Sequence, residues 1–469
     1  MFTLKGDLET LRKLILEVDQ QIFELAAKRF RLVARVSDHK KKQGLPVVNF
    51  HVEKEVVSRA LELGETLDLP EGFSSKLINL LIQESVLAQA GNSTNRVTYL
   101  YDVADQVKEL EAKGESIIKL DMGEPAFSTP PQVKEAASTS LLEKTRIGYS
   151  SSQGLPELRS AIATALSQKH DCAISAKQVL ITPSGKFAVF AAIVSMISLG
   201  DRVLLPEPSW PVYENCTRLA GGRVDLIHTR LEDDWRLNME QLEEALAVKP
   251  KLLVLCTPSN PTGKIVSETD LEEICRLAEA QGTVVLSDEA YSAYTFTTST
   301  SILDVAASNF IYVDNFSKLY GLTGWRIGYA VSDLETTVRM KRLLQLSVAC
   351  VPEFVQKAAL NALTMNQEDV EAFSEEMGER IELACKELIN YPLSFTRPEG
   401  GMYLFPRANI EGFDSRAFAR TLLSKKKVAV VPGEAFGVYP EHFRLSLGTN
   451  KRDIKEGVKR IGALLKEWL

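Results

Sequence analysis

The stretch NFSKLYGLTGWRIGYA, Asn315 to Ala330, places one lysine, Lys318, in a run of apolar and small residues. Arg326 follows eight positions later, with Gly321 and Gly324 between. An apolar setting beside a cation lowers a lysine's pKa toward the neutral amine, the form that attacks a carbonyl. A lysine after a serine is ordinary surface when met alone, so its meaning depends on the segments around it.

Those segments come in a fixed order. SDEAY, Ser287 to Tyr291, ends an apolar strand about thirty residues before Lys318, and NPTG, Asn260 to Gly263, ends the strand before that. PSGK, Pro183 to Lys186, follows VLIT and opens the helical run FAVFAAIVSMI, so its backbone N–H groups point toward an anion. From Val97 onward, short apolar strands (VLITP, RVLLP, KLLVLCTP, TVVLSDE) alternate with helical stretches. That alternation predicts an α/β domain, a mostly parallel sheet with helices on both faces. Each motif is weak by itself; their joint order and spacing are specific.

Together they resemble the fold type I, class I pyridoxal-phosphate (PLP) aminotransferases, over residues 97–469. The resemblance implies a large sheet subdomain with a smaller α/β one, PLP as cofactor, no metal, and a homodimer. It implies that Lys318 holds the cofactor aldehyde and shuttles a proton, and that Asp288 pairs with the pyridine nitrogen. Asn260 and Tyr291 would bond the ring oxygen, and Trp210, in EPSWPVY, would stack on the ring. Ser184, Gly185, Lys186, Ser317 and Arg326 would surround the phosphate, joined by Tyr149 from the other subunit. Arg444, in HFRLSLGTN, would bind the substrate α-carboxylate close to the backbone of Gly123. Asn315 departs from the family, which usually has serine or glycine there to meet the phosphate, so altered phosphate binding is expected.

The first 90 residues read differently. Leu8, Leu11, Ile15, Val18, Ile22, Leu25, Arg29, Leu32 and Val36 recur at spacings of three and four, one face of a helix from about Gly6 to Lys42. So long a helix needs a partner, expected to be a second copy. Gly44 and Pro46 are expected to end it, with further helices from about Val52 to Gly64 and from Ser74 to Gln89. AGNSTN is the expected linker, which sets the domains at 1–90 and 97–469 with 91–96 between.

Arg29 interrupts the apolar seam, and a guanidinium there calls for an anion. Lys40 lies eleven residues on and shares its face, while Ile78, Ile82, Ser85 and Gln89 form a stripe with a polar end. The pattern fits a small polyanion inside a helical bundle, or equally a snorkelling arginine. LRKLILEVDQQIFELAAKRFRLVARVSDHKKKQGLPVV, Glu53 and LINLLIQESVLAQ resemble the all-helical chorismate mutase domain. That implies an interlocked dimer in which Arg12 reaches the partner's site, Arg29 and Lys40 bind the carboxylates and ether oxygen, Glu53 holds the ring hydroxyl, and Ser85 and Gln89 complete the pocket. The rearrangement of chorismate to prephenate is unimolecular, so clamping and a donor at the breaking ether suffice. Val52 and Asn49 depart from residues common in the family.

The totals agree with a soluble multi-domain enzyme: 469 residues, 45% hydrophobic, 25% charged and a net charge of -7. A mildly acidic chain disfavours general nucleic-acid binding, and no segment reads as a membrane span or export signal. Six cysteines without CxxC spacing point to a reduced, cytoplasmic setting. The expectation is a bifunctional chorismate mutase and aminotransferase of aromatic amino-acid synthesis, acting on small molecules: chorismate, amino acids and 2-keto acids. One alternative is a PLP-dependent C–S lyase or other aminotransferase, its N-terminal helices serving only for dimerisation or effector binding. A pyruvate-releasing lyase acting on isochorismate would share the helical pocket.

Overall fold

The computed structural model describes residues 4–43, 50–70, 72–90, 96–143, 145–306 and 308–469. The helix stop at Gly44 and Pro46, Asn49, the linker at 91–95 and the side chain of Gln89 lie outside that description. The chain divides into two compact units, Met1–Thr94 and Asn95–Leu469.

Three helices make the first unit: α1 (Leu4–Gln43), α2 (Phe50–Thr66) and α3 (Phe73–Ala90). Helix α3 packs against both others. The seam of α1 stays open within one chain, with Leu11 56%, Ile15 59%, Ile22 55% and Leu25 65% exposed. These side chains are the ones whose periodicity defines the helix, so the face is built to be covered.

The second unit centres on a seven-stranded sheet. Its strands are β1 (Val179–Thr182), β2 (Arg202–Glu207), β3 (Arg223–His228), β4 (Leu252–Cys256), β5 (Val284–Asp288), β6 (Phe310–Asn315) and β7 (Gly328–Ser332). They lie in the order β1-β7-β6-β5-β4-β2-β3, with β7 antiparallel to both neighbours and the other pairings parallel. Nearly continuous runs such as LLVLC are buried because helices cover the sheet. The helix Gly185–Met196 contributes Ala188, Val189, Ala192 and Ile193 to the core on one face.

A smaller subdomain draws on both ends of this unit. Ile118 and Leu120 pack with Ile381, Phe418, Phe443 and Leu464, and the strand Ile118–Lys119 pairs with Val428–Ala429. Phe443–Ser446 lies between Tyr403–Leu404 and Val431–Pro432 in an antiparallel sheet. Its register sets Arg444 and Tyr403 at the mouth of the large sheet. Among the described residues, no helix is long and apolar enough to cross a membrane.

Candidate active sites

The parallel strands aim their carboxyl ends at one crevice, where α/β sheets collect ligands. Asp288 closes β5, Asn315 closes β6, Asn260 follows β4, and Ser184 follows β1. A cavity of about 360 Å³ opens there. Lys318, Asp288, Tyr291, Asn260, Trp210, Ser184, Gly185, Lys186, Ser317, Arg326, Gly123 and Arg444 all line it, twelve residues singled out from sequence. Tyr149 does not; it is 92% exposed on this chain.

Lys318 leaves β6 through a tight turn. Asn315 Oδ1 accepts from the backbone N–H groups of Ser317 and Lys318 at 2.8 and 3.2 Å, so the unusual asparagine caps the turn that presents the lysine. Lys318 Nζ donates to the Gly123 carbonyl at 2.5 Å. Burial pushes its ammonium down to about 8; Glu124 opposes the shift, and Arg326, Arg444 and Lys186 add to it.

Behind it, Asp288 is buried and accepts from Tyr213 Oη at 2.8 Å and from the Ala290 N–H at 3.2 Å. Burial pushes this carboxyl up to about 6, although Tyr213, Ala290 and the Lys318 charge each hold it down. A carboxyl so placed gains from a cationic ring partner.

The Ser184–Gly185 corner is shaped for an anion. Ser184 caps the helix Gly185–Met196, accepting from the Phe187 N–H at 3.2 Å, in a strained backbone with φ at +115°. Gly328 of β7 pairs with Thr182 on one side and Asn315 on the other. A Cβ at Gly328 would stand 2.4 Å from the Gly185 nitrogen, so only glycine lets the strand approach the corner. Arg326, also at positive φ, is exposed and donates to the Thr323 carbonyl at 2.7 Å.

On the opposite wall Arg444 is buried, its Nη1 bonded to Asn260 Oδ1 at 3.0 Å and its Nη2 to the Asp121 carbonyl. Its guanidinium lies over the rings of Tyr403 and Phe436. Tyr403 Oη bonds Tyr291 Oη at 2.8 Å, and a Cβ at Gly123 would stand 2.0 Å from the same oxygen. Lys186 Nζ donates to Tyr101 Oη at 2.6 Å and lies over Trp210. Sequence reasoning passed over Tyr101, Asp121, Tyr213 and Tyr403. Tyr213 stood three residues after Trp210, and Tyr403 inside PEGGMYLF; neither spacing carries a signal without the fold.

In the first unit, Arg29 Nη1 donates to Ser85 Oγ at 2.5 Å and to the Leu81 carbonyl at 2.7 Å, joining α1 to α3. Burial lowers its pKa. Ser85 is buried; Lys40 and Glu53 are half-buried, and Arg12 is exposed. The seam arginine therefore does not snorkel; it turns inward onto the stripe of α3.

Residues 115–461 match the family described as Aminotransferase class I and II, and residues 11–90 match Chorismate mutase type II. The chain belongs to the class I and II aminotransferases and carries a chorismate mutase domain ahead of that fold. It is thus a two-domain enzyme of the isomerase and transferase classes. More particularly, it is 33% identical over 373 residues to an asparagine–oxo-acid transaminase of Streptococcus mutans, covering 77% of this chain and 95% of that protein. It is 34% identical over 378 residues to a probable aspartate/prephenate aminotransferase of Aquifex aeolicus, covering 78% and 95%. An aspartate aminotransferase structure from Thermotoga maritima superposes with a TM-score of 0.74 at 32% identity, covering 80% of this chain and all of the other.

Proposed function

We propose that the first unit converts chorismate to prephenate and that the second, loaded with PLP, transaminates prephenate or an aromatic keto acid derived from it. Aspartate or glutamate would be the amino donor, in a cytoplasmic homodimer. The observation that carries the reading is the convergence of Lys318, Asp288 and Arg444 on one cavity, in a chain whose mutase-type unit turns Arg29 onto Ser85. The names of relatives supply the substrate classes, aspartate and prephenate among them.

The residues fit PLP. The helix corner at Ser184 and Gly185, with Ser317 and Arg326, suits the phosphate; Asp288 suits the pyridine nitrogen; Asn260 and Tyr291 suit the ring oxygen; Trp210 supplies a face. When bound, PLP supplies the electron sink for carbanion chemistry at the substrate's Cα. Asp288, supported by Tyr213, keeps a negative charge at the ring nitrogen. Lys318, with its lowered pKa, accepts a proton from Cα as the free amine and returns it. Arg444 holds the α-carboxylate so that the Cα–H bond faces Lys318.

In the first unit Arg29 and Lys40 clamp the dicarboxylate, Glu53 takes the ring hydroxyl, and Ser85 and Gln89 complete the pocket. Arg12 is exposed along the open face of α1, which suits a reach into a partner's pocket, as exposed Tyr149 suits the partner's phosphate.

The test is to incubate the purified chain with PLP, chorismate and excess aspartate or glutamate, and to follow products by mass spectrometry. Arogenate or an aromatic amino acid is expected. Arg29→Ala should cut chorismate turnover by roughly 10²- to 10³-fold and leave transamination of phenylpyruvate unchanged. Intact chorismate beside working transamination would overturn the mutase half. A changed transamination in Arg29→Ala would make the first unit an effector module.

A further inference from the structure

Among the described residues, the direct partners of Arg444 are neutral. Asn260 Oδ1, the Asp121 carbonyl and the rings of Tyr403 and Phe436 carry no net charge. The Asp121 carboxyl, in its ionised form, is the acidic group nearby. It is 2% exposed and its residue lines the same cavity as Lys318 and Arg444. Among the described residues, neither of its carboxyl oxygens has a side-chain hydrogen-bond partner, and Arg444 Nε has no partner. Its burial is unfavourable for the charged form; its own backbone N–H, the nearby Arg444, the Met122 N–H and Lys119 offset part of that cost.

The chain fixes Asp121 there. Ile118 and Leu120, the alternate residues just before it, are anchored in the core of the small subdomain, and Gly123, two residues on, is pinned under Tyr403 and by Lys318. Those anchors hold the backbone on both sides of Asp121.

We propose that Asp121 weakens the hold of Arg444 on the substrate α-carboxylate and thereby sets the Michaelis constants of transamination. The inference rests on the assignment of Arg444 made above. A carboxylate in the same cavity, on a residue whose backbone carbonyl already holds Arg444 Nη2, offsets part of the guanidinium charge and repels the incoming carboxylate. The α-carboxylate is held alike in ground state and transition state, so this opposition raises KM and leaves kcat alone. Amino donor and keto acceptor both carry that group, so both should feel it. Asp121 is a positioning residue: it acts through Arg444 and touches no reacting atom.

Asp121→Asn removes the charge and keeps the shape. At pH 8 its KM for amino donor and keto acid should both fall roughly three- to tenfold, with kcat within twofold of the parent. Calorimetric affinity of the PLP-loaded chain for 3-phenylpropionate, a plain monocarboxylate, should tighten by the same factor. A damaged fold would loosen binding, so the direction separates the proposal from a structural role. Asp121→Ser serves as the second variant if the asparagine chain fails to fold. Unchanged or raised KM in a variant of unaltered melting temperature would overturn the inference. A parent chain whose 3-phenylpropionate affinity survives Arg444→Lys would instead overturn the assignment of Arg444 itself.

Discussion

Lys318 is held in three ways at once: by the Asn315 cap on its turn, by the Gly123 carbonyl on its Nζ, and by burial that favours its neutral form. Only the free amine attacks an aldehyde, and a lysine at its ordinary value is almost wholly protonated at neutral pH. With the ammonium at about 8, the amine fraction grows as pH rises and levels off above that value. The rate of PLP uptake by the cofactor-free chain should therefore climb from pH 6 to about 8 and then flatten, as read by absorbance after rapid mixing. A rate still climbing steeply at pH 10 would mean an unperturbed lysine. Lys318→Ala should lose transamination by on the order of 10³-fold or more while chorismate turnover continues. Asn315 teaches a related point: read as a departure in a phosphate-binding position, it serves the backbone of the turn, a role visible only in three dimensions.

At the level of elements, the antiparallel strand β7 decides where the anion corner can form. Gly328 stands level with Thr182 and Asn315, the last residues of the two strands beside it, and has no room for a side chain. Gly328→Ala would press a methyl to within 2.4 Å of the Gly185 nitrogen and 2.6 Å of the Ser184 carbonyl carbon. Overpacking of that kind costs about 1–3 kcal/mol. The variant should melt earlier and bind PLP more weakly, with inorganic phosphate protecting it less than the parent against heat; equal protection would place the phosphate elsewhere. Elements of this kind were legible in the sequence to different degrees. The periodicity of α1 gave Gly6 to Lys42 against the observed Leu4–Gln43, because one continuous apolar stripe leaves little ambiguity. The strands ending in Thr182 and Asp288 were marked by the apolar runs VLIT and TVVLSDE, whereas the one ending in Asn315 was not singled out. The reversal of β7, the reach of Tyr403 to Tyr291 and the burial of Asp121 depend on chain segments brought together from far apart, and no local pattern announces them.

For the whole molecule, each unit leaves apolar side chains uncovered in its own way. The first exposes the seam of α1; the second exposes Leu142 at 85%, Leu346 at 86% and Tyr149 at 92%. If the chain is the homodimer proposed above, the two units would each supply a self-associating interface that a two-fold axis can close. If both exist, breaking one should not break the other. Replacing Ile15 and Ile22 together by glutamate sets charge into the seam of α1 without touching Arg29, Ser85 or any residue of the Lys318 cavity. Chorismate turnover should collapse, since the open seam is no longer covered and Arg12 has no partner pocket to enter. Light scattering should still report a dimer, and transamination of phenylpyruvate should persist within about twofold. A monomer that loses both activities would show that the α1 seam alone holds two chains together, and that the exposed side chains of the second unit belong to no interface of their own.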